Sequence, residues 1–130
     1  MRTRGYFWDG EYVRCLIVDD SPDFLAAARR LLEREGVTVA GVASDSAGAL
    51  RSVEDLRPEV VLVDIDLGGE SGLELVSKLD RTPAGGESRI IVISTHAEED
   101  YHDVIEAGPA AGFLSKSSLS ARAIHQLLER

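Results

Sequence analysis

The chain has 130 residues, enough for one compact domain with a real core but not for two. Its formal net charge of -9, from 23 acidic and 14 basic residues, would repel a phosphate backbone and argues against direct nucleic-acid binding. A hydrophobic content of 44% excludes an intrinsically disordered chain, and no apolar stretch approaches the ~20 residues a membrane helix needs.

Residues 1–12 read as an N-terminal extension, with Tyr6, Phe7 and Trp8 expected to pack on a domain spanning 13–130. Arg2 and Arg4 are not followed by an apolar segment of signal-peptide length. The first strand is expected over Val13–Val18 and contains Cys15, the single cysteine. Unable to form an internal disulfide, Cys15 suits a reduced, cytoplasmic setting and reads as a small buried strand residue. Asp19-Asp20-Ser21-Pro22 follows, a helix start with Ser21 as cap and Pro22 at the first helical position. Phe24, Leu25, Ala28, Leu31 and Leu32 then share one helix face, Arg29, Arg30, Glu33 and Arg34 point away, and Gly36 stops the helix. A strand over Val37–Val42 leads to a weaker helix marked by Ala49, Leu50 and Val53 and closed by Pro58. The third strand is Val60–Val63, and Leu75, Val76 and Leu79 mark a third helix ending before Pro83 and a Gly85-Gly86 loop. Ile90–Ile93 is the fourth strand, with a fourth helix marked by Tyr101, Val104 and Ile105 and ending at Gly108. Gly112–Leu114 is the fifth, and Ala123, Ile124, Leu127 and Leu128 mark the last helix.

Most of the strand runs are continuously apolar and rich in Val and Ile, as in a parallel sheet covered on both faces. Five strand–helix units with right-handed crossovers imply a doubly wound α/β fold with a five-stranded parallel sheet. In such sheets ligands bind outside the carboxyl ends of the strands. Those ends carry Asp19-Asp20, Asp64 and Ser94-Thr95, with Lys116 just after the fifth strand. Three carboxylates, a hydroxyl pair and an amine therefore converge on one rim. Carboxylates so placed repel one another unless a cation holds them, and oxygen-only ligation favours Mg2+ over zinc. A carboxylate at a metal site can also attack phosphorus to give an aspartyl phosphate, with metal and ammonium neutralising charge on the transferring group.

Four segments carry a family resemblance, in order and with family-like spacing: CLIVDDSPDFLAAARRLLE, VVLVDIDLGGESGLEL, IIVISTHAEED and AGFLSK. Together they resemble the response-regulator receiver domain of two-component signal transduction, over roughly Val13 to Arg130. The resemblance implies a flavodoxin-like (βα)5 receiver with strand order 2-1-3-4-5. It implies that Asp64 is the phosphoacceptor, Asp20 a direct Mg2+ ligand, Asp19 its acidic partner, and Asp66 a ligand through its backbone carbonyl. Ser94 matches the switch hydroxyl, Lys116 the site lysine and Phe113 the aromatic switch position. The implied function is a phosphorylation-dependent switch that signals through an altered surface of the fourth helix, fifth strand and fifth helix, including Tyr101. It turns over no separate substrate. Implied partners are a sensor histidine kinase or histidine phosphotransfer protein, docking around Pro22, Phe24 and Leu25, and a downstream protein target or second copy. As a standalone protein it would be expected to act through protein contact or a phosphorelay; alternatively it is a receiver cut from a longer regulator, since the segments also resemble those of regulators with helix-turn-helix outputs.

Three positions depart from the family pattern. Gly68 stands where proline is frequent, which predicts a more mobile loop after Asp64. Ser117 stands where proline is common, which predicts a trans bond after Lys116. Thr95 replaces a smaller residue and is expected to narrow access to the phosphate. His102 and His125 read as surface residues, while His96, with Asp66, is expected to tune loss of the phosphate by shaping water access. The rival readings are a receiver-like interaction module that is not phosphorylated and, more distantly, a haloacid-dehalogenase-like phosphatase built on Asp64-Ile65-Asp66. In that phosphatase family the nucleophilic pair sits on the first catalytic strand, whereas here Asp19-Asp20 come first. A Rossmann-type nucleotide site would need a glycine-rich turn where Asp19-Asp20-Ser21-Pro22 stands.

Overall fold

The computed structural model describes residues 7–8, 11–95 and 102–129, with side chains for 13–95, 103 and 105–129. Five parallel strands form the main sheet: β1 (Arg14–Val18), β2 (Thr38–Ala43), β3 (Val60–Asp64), β4 (Arg89–Ser94) and β5 (Gly112–Ser115). Their order across the sheet is β2-β1-β3-β4-β5, the expected 2-1-3-4-5. The helices are α1 (Pro22–Arg34), α2 (Ser46–Leu56), α3 (Gly72–Arg81), α4 (His102–Ala107) and α5 (Ala121–Leu128).

The continuous apolar runs are explained by two cores, one on each face of the sheet. Leu16, Val18, Val61, Val63, Ile90 and Val92 point into one cluster with Val53 of α2, Leu75 and Leu79 of α3 and Ile105 of α4. Cys15, Ile17, Val60, Leu62, Ile91 and Ile93 point into the other, with Ala28 and Leu32 of α1 and Ile124 and Leu127 of α5. Successive strand residues face opposite ways, so a strand covered on both sides is apolar at every position.

Helix starts are set by capping oxygens. Ser21 caps α1 by accepting from the Phe24 N–H at 3.2 Å, with Pro22 in the first turn, as the sequence predicts. Asp45, Ser71 and Ser120 cap α2, α3 and α5 in the same way. Helix α1 gives way to Gly36 at φ 97°, and α2 ends on Arg57 in the left-handed region at φ 49°, just before Pro58. Two side-chain caps join distant segments: Glu35 accepts from the Ala121 N–H of α5 at 2.7 Å, and Glu70 from the Ser46 N–H of α2 at 2.8 Å.

The structure adds elements the apolar pattern does not signal. Asp66–Leu67 pairs antiparallel with Glu70–Ser71, making a tight hairpin directly after β3. Gly85–Glu87 forms a 3-10 turn, where Thr82 Oγ1 accepts from the Gly85 N–H at 3.0 Å. In the expected extension, Phe7–Trp8 pairs antiparallel with Glu11–Tyr12. The side chains of Tyr6, Phe7 and Trp8 lie outside the described residues, as do His96, Tyr101 and the side chains of His102 and Val104. His125, expected at the surface, is instead half-buried on α5, with Nε2 2.8 Å from Glu129 Oε2. No described helix is long and apolar enough to cross a membrane.

Candidate functional site

The strand order brings the C-terminal ends of β1, β3, β4 and β5 side by side, because β1 and β3 are neighbours and β3 and β4 are neighbours. Register does the fine placement. Asp64, the last residue of β3, pairs with Ile93, so Ser94 sits one residue further along the next strand. Ser94 in turn pairs with Ser115, which directly precedes Lys116.

Asp19 is fully buried, Asp64 nearly so and Asp20 exposed; one carboxylate oxygen from each lies within 4.8 Å of the others. Asp19 is oriented by its own loop, Oδ1 accepting from the Ser21 N–H at 2.8 Å. Asp64 Oδ1 accepts from the Asp66 N–H at 3.2 Å, which turns the chain back beside the acid. Lys116, in a 3-10 turn after β5, closes the group from above the sheet edge. Its Nζ lies 2.6 Å from Asp19 Oδ2 and donates to Asp64 Oδ2 at 3.1 Å. The Asp19 oxygen makes this close ionic contact without hydrogen-bond geometry. Burial pushes the Asp64 carboxyl above its ordinary range and the Asp19 charge adds to the rise, against the Asp66 N–H and Lys116. Burial opposes the Lys116 charge, but the close contact with Asp19, the hydrogen bond to Asp64 and the attraction of both carboxylates outweigh it and hold the ammonium above its usual range.

These residues fit a hard divalent cation. Among the described residues, three carboxylates are grouped while Lys116 pairs with only two of them, Asp19 and Asp64; every candidate ligand is oxygen; and Asp19 Oδ2, buried, has the Lys116 ionic contact but no hydrogen bond. Asp66 is exposed and its side chain is turned to its own loop, Oδ1 accepting from the Gly68 N–H at 3.2 Å. Gly68 has φ 73°, a backbone state closed to proline, whose ring holds φ near about −65°. The glycine therefore makes a turn here that the family-typical proline could not. Ser94 is buried at the end of β4, Thr95 is exposed beside it, and Phe113 is buried on β5 in the same apolar cluster as Ile105 of α4. The bond after Lys116 is trans, as the serine at 117 predicts.

Two residues touch the site that the sequence reading does not assign to it. Gly72, the first residue of α3, lies against the backbone of Asp64: a Cβ there would lie 1.8 Å from the Asp64 carbonyl oxygen. Its N–H also donates to Ile65 O at 2.7 Å. Phe24, legible only as part of the helix face and the docking region, places its ring centroid 4.4 Å from Lys116 Nζ. A clue lay in the spacing, since Phe24 is in the first turn of the helix that follows the acidic pair.

The family model of the response regulator receiver domain matches residues 15–129. Response regulator UvrY of Escherichia coli strain K12 is 34% identical over 107 residues, covering 82% of this chain and 48% of that protein. The DNA-binding transcriptional activator EvgA of the same strain is 29% identical over 104 residues, covering 80% and 50%. The chain thus spans about half the length of these relatives. A LuxR-family two-component response regulator from Aurantimonas sp. SI85-9A1 superposes with a TM-score of 0.76 at 31% identity, covering 91% of this chain and 86% of that one. A CheY-like receiver domain from Methanospirillum hungatei JF-1 gives 0.74 at 25% identity, covering 90% and 91%. With the parallel sheet, the acidic rim and the lysine in place, the chain belongs to the response regulator receiver domain family.

Proposed function

We propose that this receiver domain, taken as residues 13–130 with 1–12 as an extension, is a switch that accepts a phosphoryl group on Asp64. The observation that carries the reading is the buried Asp64 carboxylate, grouped with Asp19 and Asp20 and touched by Lys116 at 3.1 Å. Asp64 Oδ attacks phosphorus of a phosphohistidine or small phosphodonor; the new O–P bond forms as the bond to the leaving group breaks, and the leaving group keeps the electron pair. Asp19, Asp20 and Asp64, with the Asp66 carbonyl, would hold Mg2+, which supplies charge neutralisation to the phosphoryl oxygens when bound. Lys116 would offer a positive charge at the same edge, and the Ser94 hydroxyl would hydrogen-bond a phosphoryl oxygen. Nothing else is turned over, so the chain is a signalling protein rather than an enzyme with a substrate of its own.

The phosphoryl donor is a sensor histidine kinase or histidine phosphotransfer protein, docking on the α1 face around Pro22, Phe24 and Leu25. The output is a changed α4-β5-α5 surface, with Ser94 and Phe113 moving together, read by a protein target or a second copy of the chain. Relatives described as a DNA-binding activator and as a LuxR-family regulator support transcriptional control as the downstream process. The receiver family, with a neighbour described as a two-component response regulator, supports a cytoplasmic location.

Incubation with Mg2+ and acetyl phosphate should add one phosphate by intact mass, require Mg2+ and vanish in Asp64→Asn. Absence of the adduct, together with failure to bind beryllofluoride, would leave a receiver that signals without phosphorylation.

A further inference from the structure

The acidic pair, the start of α1 and Lys116 form a closed circuit of contacts. Asp19 Oδ1 accepts from the Ser21 N–H at 2.8 Å, and the Ser21 hydroxyl caps α1 by accepting from the Phe24 N–H at 3.2 Å. The Phe24 ring lies 4.4 Å from Lys116 Nζ, and that nitrogen returns to Asp19 Oδ2 at 2.6 Å. The ring is half-buried on α1, while Lys116 reaches the rim from the opposite side of the sequence, in the turn after β5.

A lysine stem has four rotatable carbons and a large rotamer entropy, so an ammonium is held in one place only if several contacts agree. Its contacts here are Asp64, Asp19 and the Phe24 ring. Once a phosphoryl group occupies Asp64, the ion pair to that carboxylate is replaced, and Asp19 and Phe24 remain to keep the ammonium at the rim. A negative aromatic face attracts a cation most strongly where water is partly excluded, as beside this half-buried ring.

We infer that Phe24 is a positioning residue: its ring holds the Lys116 ammonium over the acceptor Asp64 through a cation–π contact. This rests on the phosphorylation reading for its consequence, while the contact itself stands independently of it. The ring face is what acts, so another aromatic at position 24 preserves the effect and an aliphatic of similar volume does not.

The test uses the whole chain with Phe24→Leu, Phe24→Tyr and Phe24→Trp. Acetyl phosphate is the donor, so that any kinase contact on α1 drops out. Two readouts are taken, the Mg2+-dependent rate of mass labelling and the NMR shift of the Lys116 ε-methylene protons, with thermal unfolding as a check on the fold. Those protons should be moved upfield by the ring current in the wild type, Phe24→Tyr and Phe24→Trp, and return to the ordinary lysine position in Phe24→Leu. Labelling should slow roughly five- to tenfold in Phe24→Leu, the scale of a desolvated cation–π contact, and stay within about twofold in the aromatic variants. A similar loss in all three variants would assign Phe24 to packing alone and overturn the inference, as would an unshifted Lys116 signal in the wild type. If the wild type is not labelled at all, the phosphorylation reading fails, and the ring-current comparison decides the contact by itself.

Discussion

At Asp64 two demands oppose each other. The strand end buries the carboxyl and sets it beside Asp19, which raises its pKa, yet Lys116 and the Asp66 N–H favour the charged form. Gly72 fits against the backbone of the same residue, leaving no room for a side chain. Gly72→Ala should therefore displace the Asp64 carbonyl, destabilise the fold by about 1–3 kcal/mol or more and slow phosphate labelling, checked by denaturant unfolding and intact mass. Cys15 lies at the other extreme: buried in β1, its thiol is pushed up to about 12. It should resist thiol reagents at pH 8 in the native state and react once in denaturant. Since the unfolded thiol ionises at about 8.5, stability should begin to fall above that pH as the unfolded state alone loses the proton.

Among the elements, the strands resist substitution for a simple reason. Leu62 is fully buried at the centre of the sheet, and Leu62→Ala should cost about 2–5 kcal/mol in urea unfolding. Helix ends depend on single polar atoms. Replacing Glu35 by alanine removes the acceptor of the Ala121 N–H, so about 0.5–2 kcal/mol of stability should go with it. Because that bond joins α1 to α5, the loss should appear as faster amide exchange at the start of α5 in particular. The helix periods and the Ser21 cap were readable along the chain. The Glu35–Ala121 and Glu70–Ser46 links were not, since each joins segments that only folding brings together. The hairpin after β3 was equally hidden: Gly68 suggested a looser loop, but its positive φ allows a turn that no apolar pattern marks.

Across the molecule, the crowded acids make the site a local cost to stability. For Asp64, with its folded pKa raised, stability is greatest below the unfolded value near ~3.9, declines as pH rises through the folded pKa, and stays reduced above it. In chelator at pH 7, Asp64→Asn should consequently melt no lower than the wild type and somewhat higher. Added Mg2+ should raise the wild-type melting temperature by mass action and do much less for Asp64→Asn. A wild type whose melting is indifferent to Mg2+ would contradict the assignment of Asp19, Asp20 and Asp64 to the cation.

By itself the sequence determined the fold class, the five strand–helix units and the residues at the strand ends. Apolar periodicity reports which faces are buried, and strand ends in a parallel sheet share one edge whatever the details. The tertiary structure decided which of those residues touch. Lys116 spans from the turn after β5 to Asp19 and Asp64, Phe24 stacks on it from α1, and Gly72 backs Asp64 from α3. Such contacts depend on register, loop conformation and rotamer across 50 or more residues of chain between Lys116 and Asp64. No local pattern encodes them, because their free energy is set by neighbours that exist only once the sheet has assembled.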